Sequence, residues 1–216
     1  MAGLLLSSGL VMAPAMAATI TYSFNGTVNQ VGNQVTPATL FTPPSTMTGS
    51  ITVNTTDQNG NANRGTYSIE NFQVTFGGGY IASFVPGTSS GVVDIRNGNG
   101  MNPNADQFNV SVSAPTGNIV NFNAPRLFTI DLGGSKNIFS SDALPNPAPS
   151  IGSFTGSHGF RIQFGSGNED IRAVQGVLTS LTAVPLPAAV ILFGAGLVAL
   201  IGLGAGGLRN LRTPQV

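Results

Sequence analysis

Apolar residues recur at every second position through most of this chain. Ile20, Tyr22, Phe24 and Val28 share one face of a first segment that Gly26 interrupts. Residues 47–53 form a second such segment. Tyr67 and Ile69 then alternate in one phase and Phe72, Val74 and Phe76 in the other, which predicts a bend or bulge at Glu70-Asn71. Further alternating segments fall at 80–85, 92–96, 108–112, 128–132, 160–164 and 171–181. Turn-forming clusters separate them: Pro43-Pro44-Ser45, Gly77-Gly78-Gly79, Asn97-Gly98-Asn99-Gly100 and Pro145-Asn146-Pro147-Ala148-Pro149. No window before Ala188 keeps a helical period. Nine or ten short strands at this spacing predict an all-β body, a β-sandwich or jelly roll. The first and last segments each carry an apolar pattern broken by one glycine, Gly26 and Gly176. We expect them to pair as neighbours and bring the body's two ends together.

Two stretches escape the alternation. Residues 188–208 hold fifteen apolar side chains and six glycines, with no charge and no hydrogen-bonding side chain. At helical rise they span roughly 30 Å, the hydrocarbon thickness of a bilayer. This predicts one C-terminal transmembrane α-helix. Pro185 and Pro187 place its start near Ala188, and Arg209 and Arg212 beyond it put the tail in the cytoplasm and the body outside. Residues 1–17 are apolar and small and end in Ala15-Met16-Ala17, the pattern of a cleaved secretory signal, although no Lys or Arg precedes Arg64. The chain thus divides into a signal (1–17), a β body (18–183) and a C-terminal segment (184–216), with residues 180–187 as linker.

Charge changes the picture little. The body carries six basic and eight acidic residues, a formal charge of −2. No basic patch suits nucleic acid, and the absence of cysteine leaves stability to the core and the sheet. The polar loop from Asp57 through Asn59 and Asn61 places oxygens at every second position, as calcium loops do. Ala62 and Ser68 stand where an EF-hand requires Gly and Glu. Asp94 and Asp106, with the asparagines between them, make a second calcium candidate, and the reading improves if the two loops meet. A polar hairpin loop is the plainer expectation. The lone His158 has no G-x-S-x-G partner motif, adjacent Glu169-Asp170 is a poor glycosidase pair, and no zinc ligand set exists. Thirteen Phe and no Trp favour a core over a sugar platform. We therefore expect no enzyme.

The C-terminal order of motif, apolar span and sparse basic tail resembles the PEP-CTERM class of bacterial sorting signals. Val184-Pro185-Leu186-Pro187-Ala188-Ala189 is similar to its VPLPA variant. The resemblance implies a Gram-negative host that exports polysaccharide. It also implies recognition by an exosortase, a membrane-embedded cysteine transpeptidase or protease, with processing near the motif. The expected function is an exported, membrane-tethered, non-enzymatic surface or matrix protein, with the exosortase and the lipid bilayer as partners. The alternative is a calcium- or glycan-binding module associated with exopolysaccharide, and a secreted hydrolase comes third.

Overall fold

A computed structural model of the chain describes residues 18–98, 105–166 and 170–184. The alternating segments become ten strands. These are β1 (Thr19–Val31), β2 (Thr46–Asn54), β3 (Arg64–Phe76), β4 (Ile81–Ser83) and β5 (Ser90–Arg96), followed by β6 (Gln107–Ser113), β7 (Thr116–Gly117), β8 (Pro125–Gly133), β9 (His158–Phe164) and β10 (Ala173–Val184). Every pairing is antiparallel.

The class is all-β, but the body is not two stacked sheets. The ladder runs β2-β1-β10-β9-β8-β6-β5-β3, and β3 pairs back onto β2, which closes eight strands into a barrel. Strand β3 makes the closure possible. Its first half (Arg64 to Ser68) pairs with β5, and its second half pairs with β2 on one side and β4 on the other. The switch falls where the sequence slips phase: Thr52 faces Asn71 and Val53 faces Ile69, so Glu70 is the extra residue of a bulge. Inward and outward positions alternate alike in a sandwich and a barrel, so patterning alone did not separate them.

An eight-stranded barrel is just wide enough for side chains to fill, and here they fill it. Phe24 stacks on Phe128 with centroids 6.0 Å apart, and Phe72 meets Phe128 at 4.8 Å. At one mouth Phe41, carried by the β1–β2 connection, packs on Phe76, Tyr80 and Phe164. The other mouth is covered by the β8–β9 connection. There Tyr22 Oη donates to the Pro145 carbonyl at 2.7 Å and Tyr67 Oη to that of Asp142 at 3.0 Å. Phe139 and Phe154 of the same connection are buried.

β1 and β10 pair as expected, from Val31 opposite Val174 to Thr21 opposite Val184. The glycines explain the pairing. A Cβ on Gly26 would lie 2.8 Å from the Phe160 ring, and one on Gly176 would lie 2.5 Å from it and overlap the Thr27 carbonyl. Both positions are left empty so that one phenylalanine can sit under the seam. Residues 180–184 are therefore strand rather than linker, and the body extends one residue past 183. The expected signal (1–17), and Pro185, Leu186, Pro187, Ala188, the helix 188–208, Arg209 and Arg212, lie outside the described residues. No helix among the described residues is long and apolar enough to cross a membrane.

The three tyrosines yield a prediction. Burial pushes the hydroxyls of Tyr22 and Tyr80 far above the usual phenol value, and Tyr67 is raised by burial and then by Asp57 and Asp142. A folded pKa raised above the unfolded one gives stability that is full below about pH 10 and is lost as pH rises further. Tyrosinate absorbance is expected to appear only together with loss of the β circular dichroism signal. Titration of two tyrosines in a barrel that stays folded near their ordinary pKa would contradict this packing.

Candidate functional site

The rim at which the described chain begins and ends gathers the calcium candidates Asp57, Asn59, Asn61, Asp94 and Asp106 together with His158 and Val184. Val184 pairs there with Thr21 and the Ala18 carbonyl accepts from the Thr55 amide at 2.9 Å, beside the β2–β3, β5–β6 and β8–β9 connections. The two candidate calcium loops do meet: the Asn97 amide donates to the Asn63 carbonyl at 3.1 Å, and Arg64 lies opposite Arg96 in the ladder. What meets, however, is already partnered. Asp57 Oδ1 accepts from the amides of Thr66 (2.8 Å) and Asn59 (3.1 Å), and these bonds, Thr66 first, hold its carboxyl below the usual carboxylate range. Asn59 and Asn61 each accept from the amide two residues on, at 2.7 and 3.0 Å, and so form a chain of Asx turns. Asp94 binds Arg64 in a two-pronged pair, at 2.8 and 2.7 Å, which places a cation where the metal would go.

Asp106 has a different role from the one its spacing suggests. It is fully buried. Oδ1 accepts from the Gly98 amide at 2.6 Å, and Oδ2 accepts from the amides of Ile138 and Phe139 at 2.7 Å each. One carboxylate thus ties the β5–β6 connection to the lid over the mouth. Among the described residues no three His, Asp or Glu side chains converge on one point. Asn99, Asn102 and Asn104 lie outside the described residues, as does Glu169.

His158 is exposed at this rim, opposite Leu132. Its neighbour Ser157 bonds Asp131 directly at 3.2 Å, with no imidazole between hydroxyl and carboxylate to relay a proton.

A second feature lies on the barrel wall. Outward positions of β10, β1, β2 and β3 form rows without charge: Thr182, Ser23, Ser50 and Gln73 in one, Ser180, Asn25, Thr48 and Thr75 in the next. Between the rows runs a groove of about 340 Å³, lined by Ser23, Asn25, Thr48, Ser50, Gln73 and Thr75. Its floor is Gly49, where a Cβ would collide with the Phe24 ring. The charged pairs sit away from the groove, Arg64–Asp94 between the far end of β3 and β5 and Arg161–Asp170 beside β9.

No family model, curated protein or solved structure matches this chain. The site is therefore read from its own residues.

One of these was missed from sequence. Asn121 and Phe122 form a tight turn with φ of +47° and +64°, closed by reciprocal 2.9 Å bonds between Val120 and Asn123. Such turns favour glycine at the second position. Phe122 occupies it with 97% of its surface exposed, so no packing offsets the left-handed backbone. Phe122→Gly is expected to stabilise the protein by about 0.5–1 kcal/mol, seen as a higher denaturant midpoint. A lower midpoint would mean that the ring is packed. Neither an Asn-Gly pair nor a proline marks this turn in the sequence.

Proposed function

We propose that this chain is an exported, membrane-tethered surface or matrix protein without enzymatic activity, sorted by an exosortase at Val184-Pro185-Leu186-Pro187-Ala188. The observation that carries the reading is the end of β10. Val184 is still paired with Thr21, so three residues separate the barrel from the apolar run that starts at Ala188. Three residues reach at most about 10 Å. The motif then lies between a rigid rim and the bilayer surface, within reach of a membrane-embedded enzyme and away from soluble proteases. The barrel interior is filled by its own aromatics, which supports a display or packing role over carriage of a small molecule. The host on this reading is Gram-negative, and the body stands outside the inner membrane.

Mass spectrometry of the mature protein from its host tests this. The reading expects a first residue at or near Ala18 and a last residue at or near the motif. A chain still ending at Val216, in a host that possesses an exosortase, would overturn it.

The charge-free groove favours a second reading, a module that lies along a neutral exopolysaccharide. Uncharged hydroxyl and amide groups exchange hydrogen bonds with sugar hydroxyls without the cost of desolvating an ion. Gln73→Ala with Thr48→Ala is expected to weaken retention on the host's neutral polysaccharide, and unchanged retention would remove this reading.

A further inference from the structure

Six large apolar side chains are exposed among the described residues, and four of them share one region. Ile81 (46% exposed) lies on β4 and Val85 (36%) just after it. Ile119 (67%) and Phe122 (97%) lie just after β7, which pairs with β4. These short strands form a flap at the mouth opposite Ala18 and Val184. The tip is held firmly: the Asn121 amide donates to the Thr36 carbonyl at 3.1 Å, Asn121 Nδ2 to that of Gln34 at 2.9 Å, and Asn123 Nδ2 to that of Asn121 at 2.7 Å. A strained backbone fixed by this many bonds, presenting an aromatic ring to water, is the signature of a contact made with something else.

The charges nearby narrow the partner. Arg126, second residue of the strand that leaves the tip, is exposed and donates to Gln163 Oε1 at 3.4 Å, a neutral partner that leaves its charge in place. Arg172 donates from Nε to Gln34 Oε1 at 2.8 Å and from a terminal nitrogen to the Ser166 carbonyl at 3.0 Å, which ties it to the residue that holds Asn121. At this mouth the carboxylate of Asp170 is met by Arg161 at 2.9 Å and by Gln175 at 3.2 Å. The opposite rim holds Asp57, Asp131 and Asp142. A projecting ring needs no complementary pocket when the medium is fluid, and four side chains fall short of the surface a stable protein dimer buries. We propose that the flap docks on an anionic phospholipid surface, with Phe122 and Ile119 inserted among the headgroups and Arg126 and Arg172 turned to the phosphates.

The docking is independent of the sorting signal and involves a membrane other than the one that holds the tail. The chain contains no tryptophan, so Phe122→Trp places a single reporter at the tip. Full-length protein carrying it, in donor vesicles of phosphatidylcholine, is mixed with acceptor vesicles of phosphatidylglycerol bearing brominated acyl chains. Trp emission is expected to shift to the blue and to be quenched, because the acceptors alone carry bromine. Replacing Arg126 and Arg172 with Gln should weaken the response about tenfold or more. Phe122→Gly should stay folded and lose capture of acceptor vesicles.

Emission unchanged by acceptors overturns the proposal, as does undiminished capture by Phe122→Gly. A blue shift that grows with protein concentration before acceptors are added assigns the tip to a second copy and also overturns it. Equal quenching by phosphatidylcholine acceptors removes the anionic requirement. Failure of the tail to hold the protein in donor vesicles counts against the anchoring reading instead, and the tip is then assayed with the protein in solution.

Discussion

Gly176→Val is expected to cost at least about 3 kcal/mol and to leave the protein largely unfolded at moderate temperature. The cause is local. A side chain at 176 overlaps the Thr27 carbonyl on β1 and presses on the Phe160 ring from β9. The backbone carbonyl cannot rotate away without giving up the β1–β10 ladder, and that ladder is the seam holding both ends of the described body on one rim. Gly159→Ala is the control. It sits opposite Val177, one pair along the same ladder and on its outward face, where its Cβ would find nothing nearer than the Gly176 carbonyl at 3.5 Å, an ordinary contact. Thermal melting followed by circular dichroism should separate the two. Equal tolerance of both substitutions would mean that β1 and β10 do not pack over Phe160.

Asp106→Ala is expected to cost about 3 kcal/mol, because three backbone amides, that of Gly98 in the β5–β6 connection and those of Ile138 and Phe139 in the lid, lose their acceptor together. Asp106→Asn keeps one acceptor oxygen and should cost roughly half of this. The same experiment separates a structural carboxylate from a calcium ligand. Denaturant midpoints of parent and variant should differ by the same amount in calcium and in chelator. A difference that vanishes in chelator would return Asp106 to the role its spacing with Asp94 suggested.

Much of the wall was legible in the sequence, and little of what closes it. Period-two alternation placed nearly every strand, because inward positions of any half-buried sheet must be apolar. The broken patterns at Gly26 and Gly176 pointed to a shared neighbour, and the phase slip at Glu70 marked the bulge where β3 changes partners. Closure into a barrel left no such trace, since it depends on which distant strand accepts β3, and alternation is blind to that. Asp106 looked like its neighbours in a polar loop. Only the fold shows that it is buried under residues 32 and 33 positions later in the chain. The proline-rich stretch at 145–149 read as a turn and is part of the lid that Tyr22 holds. Phe122 lies in none of the alternating segments, and a left-handed turn without glycine carries no mark in composition.

Everything proposed for the rim depends on the closed ladder and on β10 reaching Val184. Cross-strand nuclear Overhauser contacts in the full-length protein test this most directly. The account predicts contacts between Phe24 and Leu181, between Val53 and Ile69 and between Tyr67 and Val93, all in one species. It also predicts that the Thr21–Val184 pair is present beside them. A spectrum with the first contact but without those of β3 to both β2 and β5 would return the body to two open sheets. A spectrum lacking Thr21–Val184 would release the sorting motif from the rim.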